Sequence, residues 1–115
     1  MNNLGQQYEQ LAAEYLQRKG LSLVAQNYQC KAGEIDLVMR DSTTLVFVEV
    51  KYRASTAFGG AAAAVTFSKQ QKLLRASRWY LQQQRQSDQP CRLDVLAIEG
   101  QPPYQFQWIK NAITQ

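Results

Sequence analysis

The sequence that decides the fold is Leu45-Val46-Phe47-Val48-Glu49-Val50-Lys51, in which large apolar residues fill both faces of an extended chain. Such a continuous apolar run is typical of a central strand that is covered on both sides of a sheet. Glu49 lies inside the run, and Lys51 follows two positions later on the same face. Because burying an ionised carboxylate without a partner is costly, we expect Glu49 to have one.

The preceding segment repeats this pattern, because Asp36 interrupts the apolar residues of segment 34–38. A polar turn centred near Ser42 predicts that the two segments form an antiparallel hairpin. In that register Asp36 falls beside Val48 and Glu49, at a cross-strand distance of about 5–8 Å. Two carboxylates at this distance repel each other unless a cation lies between them.

These residues favour a site for a hard divalent cation. The carboxylates of Asp36 and Glu49 and the carbonyl of Val50 offer the oxygen ligands that Mg²⁺ and Mn²⁺ prefer. Lys51 is placed to orient a water molecule or to stabilise a developing oxyanion. The alternative is an amphipathic hairpin with a solvated charged face, and the apolar residues that share this face argue against it.

The rest of the chain predicts two helices and three more strands. Apolar residues recur at helical spacing over Asn3–Lys19, and Ser68 with Gln71 forms a capping box that starts a second helix. Segment 54–67, which contains Gly59–Gly60, is expected to be a flexible crossing. Strands are expected over Leu21–Tyr28, Arg92–Ile98 and Tyr104–Ile109. The predicted fold is therefore α/β, one mixed sheet of about five strands flanked by helices, in a single domain over residues 1–115.

Composition excludes several classes of site. The 115 residues include no histidine, and the two cysteines, Cys30 and Cys91, form no CxxC pair. A Cys/His zinc site, a histidine-based triad and a haem histidine ligand are therefore excluded. No apolar run approaches the roughly 20 residues that span a bilayer, and the first residues do not resemble a signal peptide. We therefore expect no membrane association and a cytoplasmic protein with reduced thiols.

Positive charge is concentrated in residues 66–92, which carry six Lys or Arg residues and one Asp, whereas residues 1–50 are net acidic. Four of the cations recur every third residue along the second predicted helix: Lys69, Lys72, Arg75 and Arg78. With Ser68 at the helix start and Arg53 after the central strand, they form the predicted nucleic-acid-binding set. Contacts of this kind bind phosphates without reading sequence. The alternative for the helix is a solvated basic face.

The motifs together resemble the bacterial YraN family. The matching segments are Gly5-x3-Glu9-x2-Ala12, Gly33-Glu34-Ile35-Asp36-Leu37-Val38, Phe47-Val48-Glu49-Val50-Lys51-Tyr52-Arg53, Phe58-Gly59-Gly60 and Ser68-Lys69-x2-Lys72. The resemblance runs from about Gly5 to Ala112. Asp36 followed by Glu49-Val50-Lys51 also looks like the D…(D/E)xK signature of the restriction-endonuclease-like fold, although Ile35 stands where the wider superfamily has proline.

This resemblance implies a restriction-endonuclease-like fold and a Mg²⁺- or Mn²⁺-dependent nuclease related to archaeal Holliday-junction resolvases. The expected substrate is DNA rather than RNA, including branched or damaged DNA. By position, Asp36, Glu49 and the Val50 carbonyl are implied as metal ligands, Lys51 as the catalytic lysine and Glu9 as a further acidic residue of the site. Since resolvase-like enzymes cut two strands, a homodimer is a further implication. The alternative is a non-catalytic nucleic-acid-binding module of the same fold.

Two other carboxylates have open assignments. Glu34 is either a supporting group of the site or a solvated residue at the start of a strand, and the second interpretation is favoured. Asp94, in apolar surroundings, either approaches the site or pairs with Arg92 or Arg53.

Overall fold

The computed structural model describes residues 4–54, 65–85 and 89–113. In these ranges the chain forms α1 (Leu4–Arg18), β1 (Ser22–Cys30), β2 (Gly33–Asp41), β3 (Thr44–Arg53), α2 (Phe67–Gln83), β4 (Cys91–Glu99) and β5 (Gln105–Ile113). The predicted helices and strands are all confirmed, and so is the mixed α/β class. The predicted Gly59–Gly60 crossing and the Phe58 motif lie outside the described residues. No helix in the described ranges is long and apolar enough to cross a membrane.

The five strands form one sheet in the order β1-β2-β3-β4-β5. Strands β3 and β4 are parallel, and every other neighbouring pair is antiparallel. A parallel pair needs a crossover connection, and α2 lies within the segment that joins β3 to β4. Strand β3 is paired on both edges, and its side chains are buried on both faces of the sheet, which accounts for its continuous apolar sequence.

The two helices cover opposite faces of the sheet. On the α1 face, Ala12 and Leu16 pack with Val46 and Val48, among other residues. On the α2 face, the buried helix residues pack with strand residues that include Leu45, Phe47 and Leu93; the helix contributes Leu73, Leu74, Ala76, Tyr80 and Leu81. Side chains alternate along a strand, so the odd-numbered residues of β3 point toward α2. Glu49 and Lys51 are among these residues.

Helix α2 begins one residue earlier than predicted, and its cap is different. The N-cap residue is Thr66, whose side-chain Oγ1 accepts a hydrogen bond of 3.2 Å from the backbone N–H of Lys69. The predicted capping box at Ser68 is therefore wrong, because Ser68 already lies in the first helical turn. Thr66 has the extended backbone (φ −73°, ψ 163°) that a capping residue needs, and it places Lys69 in the first turn of α2.

The hairpin of β2 and β3 separates before β2 ends. Its ladder runs from the pair Asp41–Thr44 to the pair Leu37–Val48, which confirms the predicted turn and register, and stops there. Strand β2 continues to pair with β1 as far as Gly33. Ile35 packs on the α2 face and Leu37 on the α1 face, so the alternation of side chains is broken at Asp36. A gap opens between β2 and β3 at this point.

Candidate metal centre

The gap between β2 and β3 contains a cavity of about 330 Å³. Because the two strands have separated, side chains from both faces of the sheet reach it. The charged or ligating residues that line it are Glu9, Asp36, Glu49, Val50, Lys51 and Lys69. The structure thus brings together every residue that the sequence placed in the metal or catalytic set, and it adds Lys69.

Asp36 links β2 to β3 where the two strands of the hairpin have separated. Its Oδ2 accepts a hydrogen bond of 2.9 Å from the backbone N–H of Val50, where a carbonyl of β2 would stand if the ladder continued. The N–H and C=O groups of one strand residue point to the same neighbouring strand. The Val50 carbonyl is therefore directed toward the cavity side of β3. Burial raises the pKa of Asp36, and the Val50 N–H opposes this shift.

Glu49 is the most buried carboxylate of the cavity, with 3% of its side chain exposed. Its Oε1 lies 3.6 Å from Lys69 Nζ and 3.8 Å from Lys51 Nζ. Its Oε2 is buried and has no hydrogen-bond partner among the described residues. Burial and the charge of Asp36 raise the pKa of Glu49 to about 7, although both lysines lower it. One oxygen of this carboxylate is thus paired with the two lysines, and the other oxygen is available to a ligand.

Glu9 reaches the cavity from α1. It lies three and four residues before the buried Ala12 and Ala13, on the side of the helix that faces the sheet. Its Oε1 is likewise buried and without a hydrogen-bond partner in the part of the chain that the structure describes. Burial, followed by the charges of Asp36 and Glu34, raises the pKa of Glu9 to about 7.

Glu34 lies at the start of β2, as the sequence predicted, and it also lies close to Glu9 and Asp36. One carboxylate oxygen from each of Glu9, Glu34 and Asp36 lies within 4.8 Å of the other two. Side-chain alternation could not have predicted this contact, because the alternation is broken at Asp36. Glu49 is outside this group and shares the cavity with Glu9 and Asp36, whereas Glu34 does not line the cavity.

This donor set fits Mg²⁺ or Mn²⁺. Asp36 is close to the carboxylates of Glu9 and Glu34 on one side and of Glu49 on the other, and protonation or a bound cation relieves the repulsion among them. Glu9 and Glu49 line the cavity and each has a buried oxygen without a hydrogen-bond partner among the described residues, whereas such oxygens are normally paired. Hard oxygen ligands of this type select Mg²⁺, Mn²⁺ or Ca²⁺ over softer metals.

Two tyrosines that the sequence did not predict in the site also line the cavity. The rings of Tyr8 and Tyr52 are stacked, with centroids 4.1 Å apart and an interplanar angle of 7°. The Tyr52 hydroxyl donates a hydrogen bond of 2.7 Å to the carbonyl of Gly100. The Tyr8–Tyr52 stack holds the start of α1, which carries Glu9, against the end of β3.

The predicted nucleic-acid-binding residues do not all lie together. Lys69 points into the cavity, whereas four others are exposed on α2: Ser68, Lys72, Arg75 and Arg78. Arg53 is exposed at the end of β3 and does not line the cavity. Helix α2 passes close to the start of β2, since a Cβ built on Gly33 would lie 3.5 Å from the Cβ of Lys72. The exposed stripe therefore starts beside the carboxylate cluster.

Asp94 is a structural residue, which decides between the alternatives left open by the sequence. It is fully buried and bonds Arg92 Nε through both oxygens, at 3.1 and 3.2 Å. It also accepts hydrogen bonds from Trp108 Nε1 at 2.9 Å and from the backbone N–H of Asn111 at 2.8 Å. The β4–β5 register shifts at this position, so Asp94 holds a bulge in β5 and does not line the cavity.

Comparison with known sequences gives a consistent family match. The model of the family described as "Uncharacterised protein family UPF0102" matches residues 8–98, which include Glu34 and the three carboxylates and two lysines that line the cavity. A UPF0102 protein of Aeromonas hydrophila is 53% identical over 110 residues, covering 94% of this chain and 82% of that protein. Relatives of the same name in Nitrosomonas europaea (47% over 113 residues, 98% and 95% covered) and Pseudomonas savastanoi (50% over 111 residues, 94% and 90% covered) are also similar.

Proposed function

The chain belongs to the UPF0102 family, as its YraN-like motifs predicted, and we propose that it is a divalent-metal-dependent nuclease that hydrolyses phosphodiester bonds in DNA. The observation that carries the proposal is the Glu49 carboxylate, which is buried beside Asp36 with one oxygen unpartnered. A protein that only binds nucleic acid gains nothing from a buried carboxylate cluster next to its phosphate-binding surface, because the carboxylates repel phosphate.

In this proposal Asp36, Glu49 and the Val50 carbonyl hold Mg²⁺ or Mn²⁺, and Glu9 and Glu34 support the site. The bound cation supplies Lewis acidity toward the phosphate and a more acidic water molecule. Lys51, anchored beside Glu49, orients the attacking water and stabilises charge that develops on the phosphate oxygens.

Substrate binding is assigned to the exposed residues of α2 and to Arg53. The phosphate backbone contacts Lys72, Arg75 and Arg78 as it passes the cavity. Because these contacts do not read bases, the enzyme recognises the shape of DNA rather than its sequence. The parallel β3–β4 pair with a helical crossover and the Asp36…Glu49-x-Lys51 motif support a restriction-endonuclease-like fold. Cleavage of both strands of a branched substrate would require a homodimer.

Calorimetric titration of Mn²⁺ into the wild type and the D36N variant tests the metal centre. Asparagine still offers an oxygen to the Val50 N–H, so this variant removes the charge and keeps the hydrogen bond. The matched control is E14Q, which removes an exposed carboxylate on α1. We expect wild type and E14Q to bind Mn²⁺ and D36N to lose that binding.

Cleavage is then assayed on branched, nicked and single-stranded DNA with Mg²⁺ and with Mn²⁺. Metal-dependent cleavage by wild type and E14Q, lost in D36N, supports the nuclease. Retained DNA binding without cleavage of any substrate would instead identify a non-catalytic binding module. Absence of Mn²⁺ binding, both alone and with a four-way junction present, would overturn the proposed metal centre.

A further inference from the structure

Lys69 approaches the buried carboxylate of Glu49 as closely as Lys51, the lysine of the sequence motif, does. Lys69 Nζ lies 3.6 Å from Glu49 Oε1, compared with 3.8 Å for Lys51 Nζ. Both lysines meet the same oxygen, and both are only partly exposed, at 37% for Lys69 and 31% for Lys51. The cavity therefore contains two lysines that come from different elements and share one partner.

The start of α2 explains this position. The Thr66 cap fixes the backbone N–H of Lys69 in the first helical turn, and α2 covers the face of the sheet that bears Glu49 and Lys51. Lys72, one turn later, meets the start of β2 through its Cβ and is exposed. Of the four cations spaced along α2, only Lys69 lines the cavity in the described part of the chain.

We propose that Lys69 is a second active-site lysine, which contacts the scissile phosphate together with Lys51, rather than the first member of the external phosphate-binding stripe. This inference rests on the proposed nuclease function. A phosphodiester carries its charge on two non-bridging oxygens, and two ammonium groups at one carboxylate provide donors for both. When the charge of Glu49 is shared with a cation, the ammonium groups are held less strongly and the phosphate becomes their stronger anionic partner.

The two oxygens of the Glu49 carboxylate have different surroundings, which supports this arrangement. Its Oε1 faces the two lysines, and its Oε2 is the buried, unpartnered oxygen. A cation ligand on Oε2 and the lysines at Oε1 are therefore compatible, and the lysines need not leave the site. Removing Lys69 then removes a transition-state contact, whereas removing Lys72 removes only a binding contact.

The test compares K69M with K72M, the same substitution one helical turn away, and with K69R. The first readout needs no activity: it is the affinity for Mn²⁺ alone, measured by calorimetry at pH 8. Loss of a positive charge 3.6 Å from Glu49 should tighten Mn²⁺ binding by about three- to tenfold in K69M. K72M should bind Mn²⁺ as the wild type does.

The second readout is single-turnover cleavage at saturating DNA, with DNA affinity measured separately in Ca²⁺. We expect K69M to lower the saturated rate about 100-fold with little loss of affinity, and K69R to restore part of the rate. K72M should weaken DNA binding and lower the saturated rate far less than K69M does. If wild type binds Mn²⁺ and cleaves DNA but K69M behaves like K72M in both readouts, the inference about Lys69 fails alone. A wild type that neither binds Mn²⁺ nor cleaves overturns the proposed function, and this inference with it.

Discussion

The Asp36 carboxylate accepts a hydrogen bond from the backbone N–H of Val50 at 2.9 Å, beyond the last pair of the β2–β3 ladder. The Asp36 side chain thus accepts the hydrogen bond that a backbone carbonyl accepts elsewhere in the sheet. This one contact keeps the separated strands in a fixed relation at the residue that also belongs to the carboxylate cluster. The cavity exists because the ladder stops, and it keeps its shape because Asp36 bridges the gap.

Substitution of Glu49 should separate catalysis from binding. In E49Q the side chain keeps its volume and loses its charge, so we expect metal-dependent cleavage to fall by at least about 100-fold. DNA affinity should stay equal or increase, because a negative charge next to the phosphate path is removed. Fluorescence anisotropy in Ca²⁺ and a cleavage assay measure the two quantities, with circular dichroism as the folding control. Equal losses of cleavage and affinity would count against a catalytic role for Glu49.

The stability of the metal-free protein should fall as the pH rises. The pKa values of Glu9 and Glu49 are about 7 in the folded protein, against an ordinary value of 4.5, so the native state binds these protons more tightly than the unfolded state. Their protonation therefore stabilises the fold most below pH 4.5, and this contribution is lost between about pH 4.5 and 7. Thermal unfolding in EDTA should give a lower Tm at pH 7.5 than at pH 5.5.

The E9Q/E49Q double variant is the control for this pH dependence. It removes both titrating groups, so most of the decline in Tm between pH 5.5 and 7.5 should disappear, and Asp36, whose pKa is also raised, accounts for the remainder. A double variant with the full wild-type decline would mean that other groups set the pH dependence.

The exposed cations of α2 should determine the salt dependence of DNA binding. Each phosphate contact contributes about 0.9 to the slope of log K against log salt for duplex DNA. The K72A/R75A variant should therefore reduce the slope by about 2, measured by anisotropy over a range of NaCl concentrations. R18A/K31A removes the same charge from exposed positions outside α2 and should leave the slope unchanged. A similar reduction in both variants would indicate net charge rather than a specific contact surface.

Replacing Asp94 should destabilise the protein without affecting the metal centre. D94A leaves Arg92, Trp108 Nε1 and the Asn111 N–H without their shared acceptor. Loss of a buried ionic partner of this kind costs about 3 kcal/mol in the free energy of unfolding. Urea denaturation measures that loss, and Mn²⁺ titration well below the Tm should match the wild type. A folded D94A protein with impaired Mn²⁺ binding would place Asp94 functionally in the site.

Local sequence rules were sufficient for much of this fold. The polar turn near Ser42 fixed the hairpin register, and the continuous apolar run identified β3 as a central strand, because side-chain alternation and turn geometry act over a few residues. The same rules placed Asp36 beside Glu49. Helical spacing was sufficient for α1 and for the buried face of α2. The N-cap was misassigned because Thr66 and Ser68 are both suitable capping residues, and only the backbone conformation distinguishes them.

By itself, then, the sequence determined the strands, the hairpin and the pair of buried carboxylates with Lys51, since each depends on neighbours in the chain or across one tight turn. The tertiary structure determined which other residues lie beside that pair of carboxylates. Lys69 faces Glu49 because α2 is capped at Thr66 and covers that side of the sheet, and Glu34 joins Glu9 because β2 leaves β3 at Asp36. These contacts link elements far apart in the chain, and their geometry follows from how the helices pack on the sheet, which no local pattern specifies.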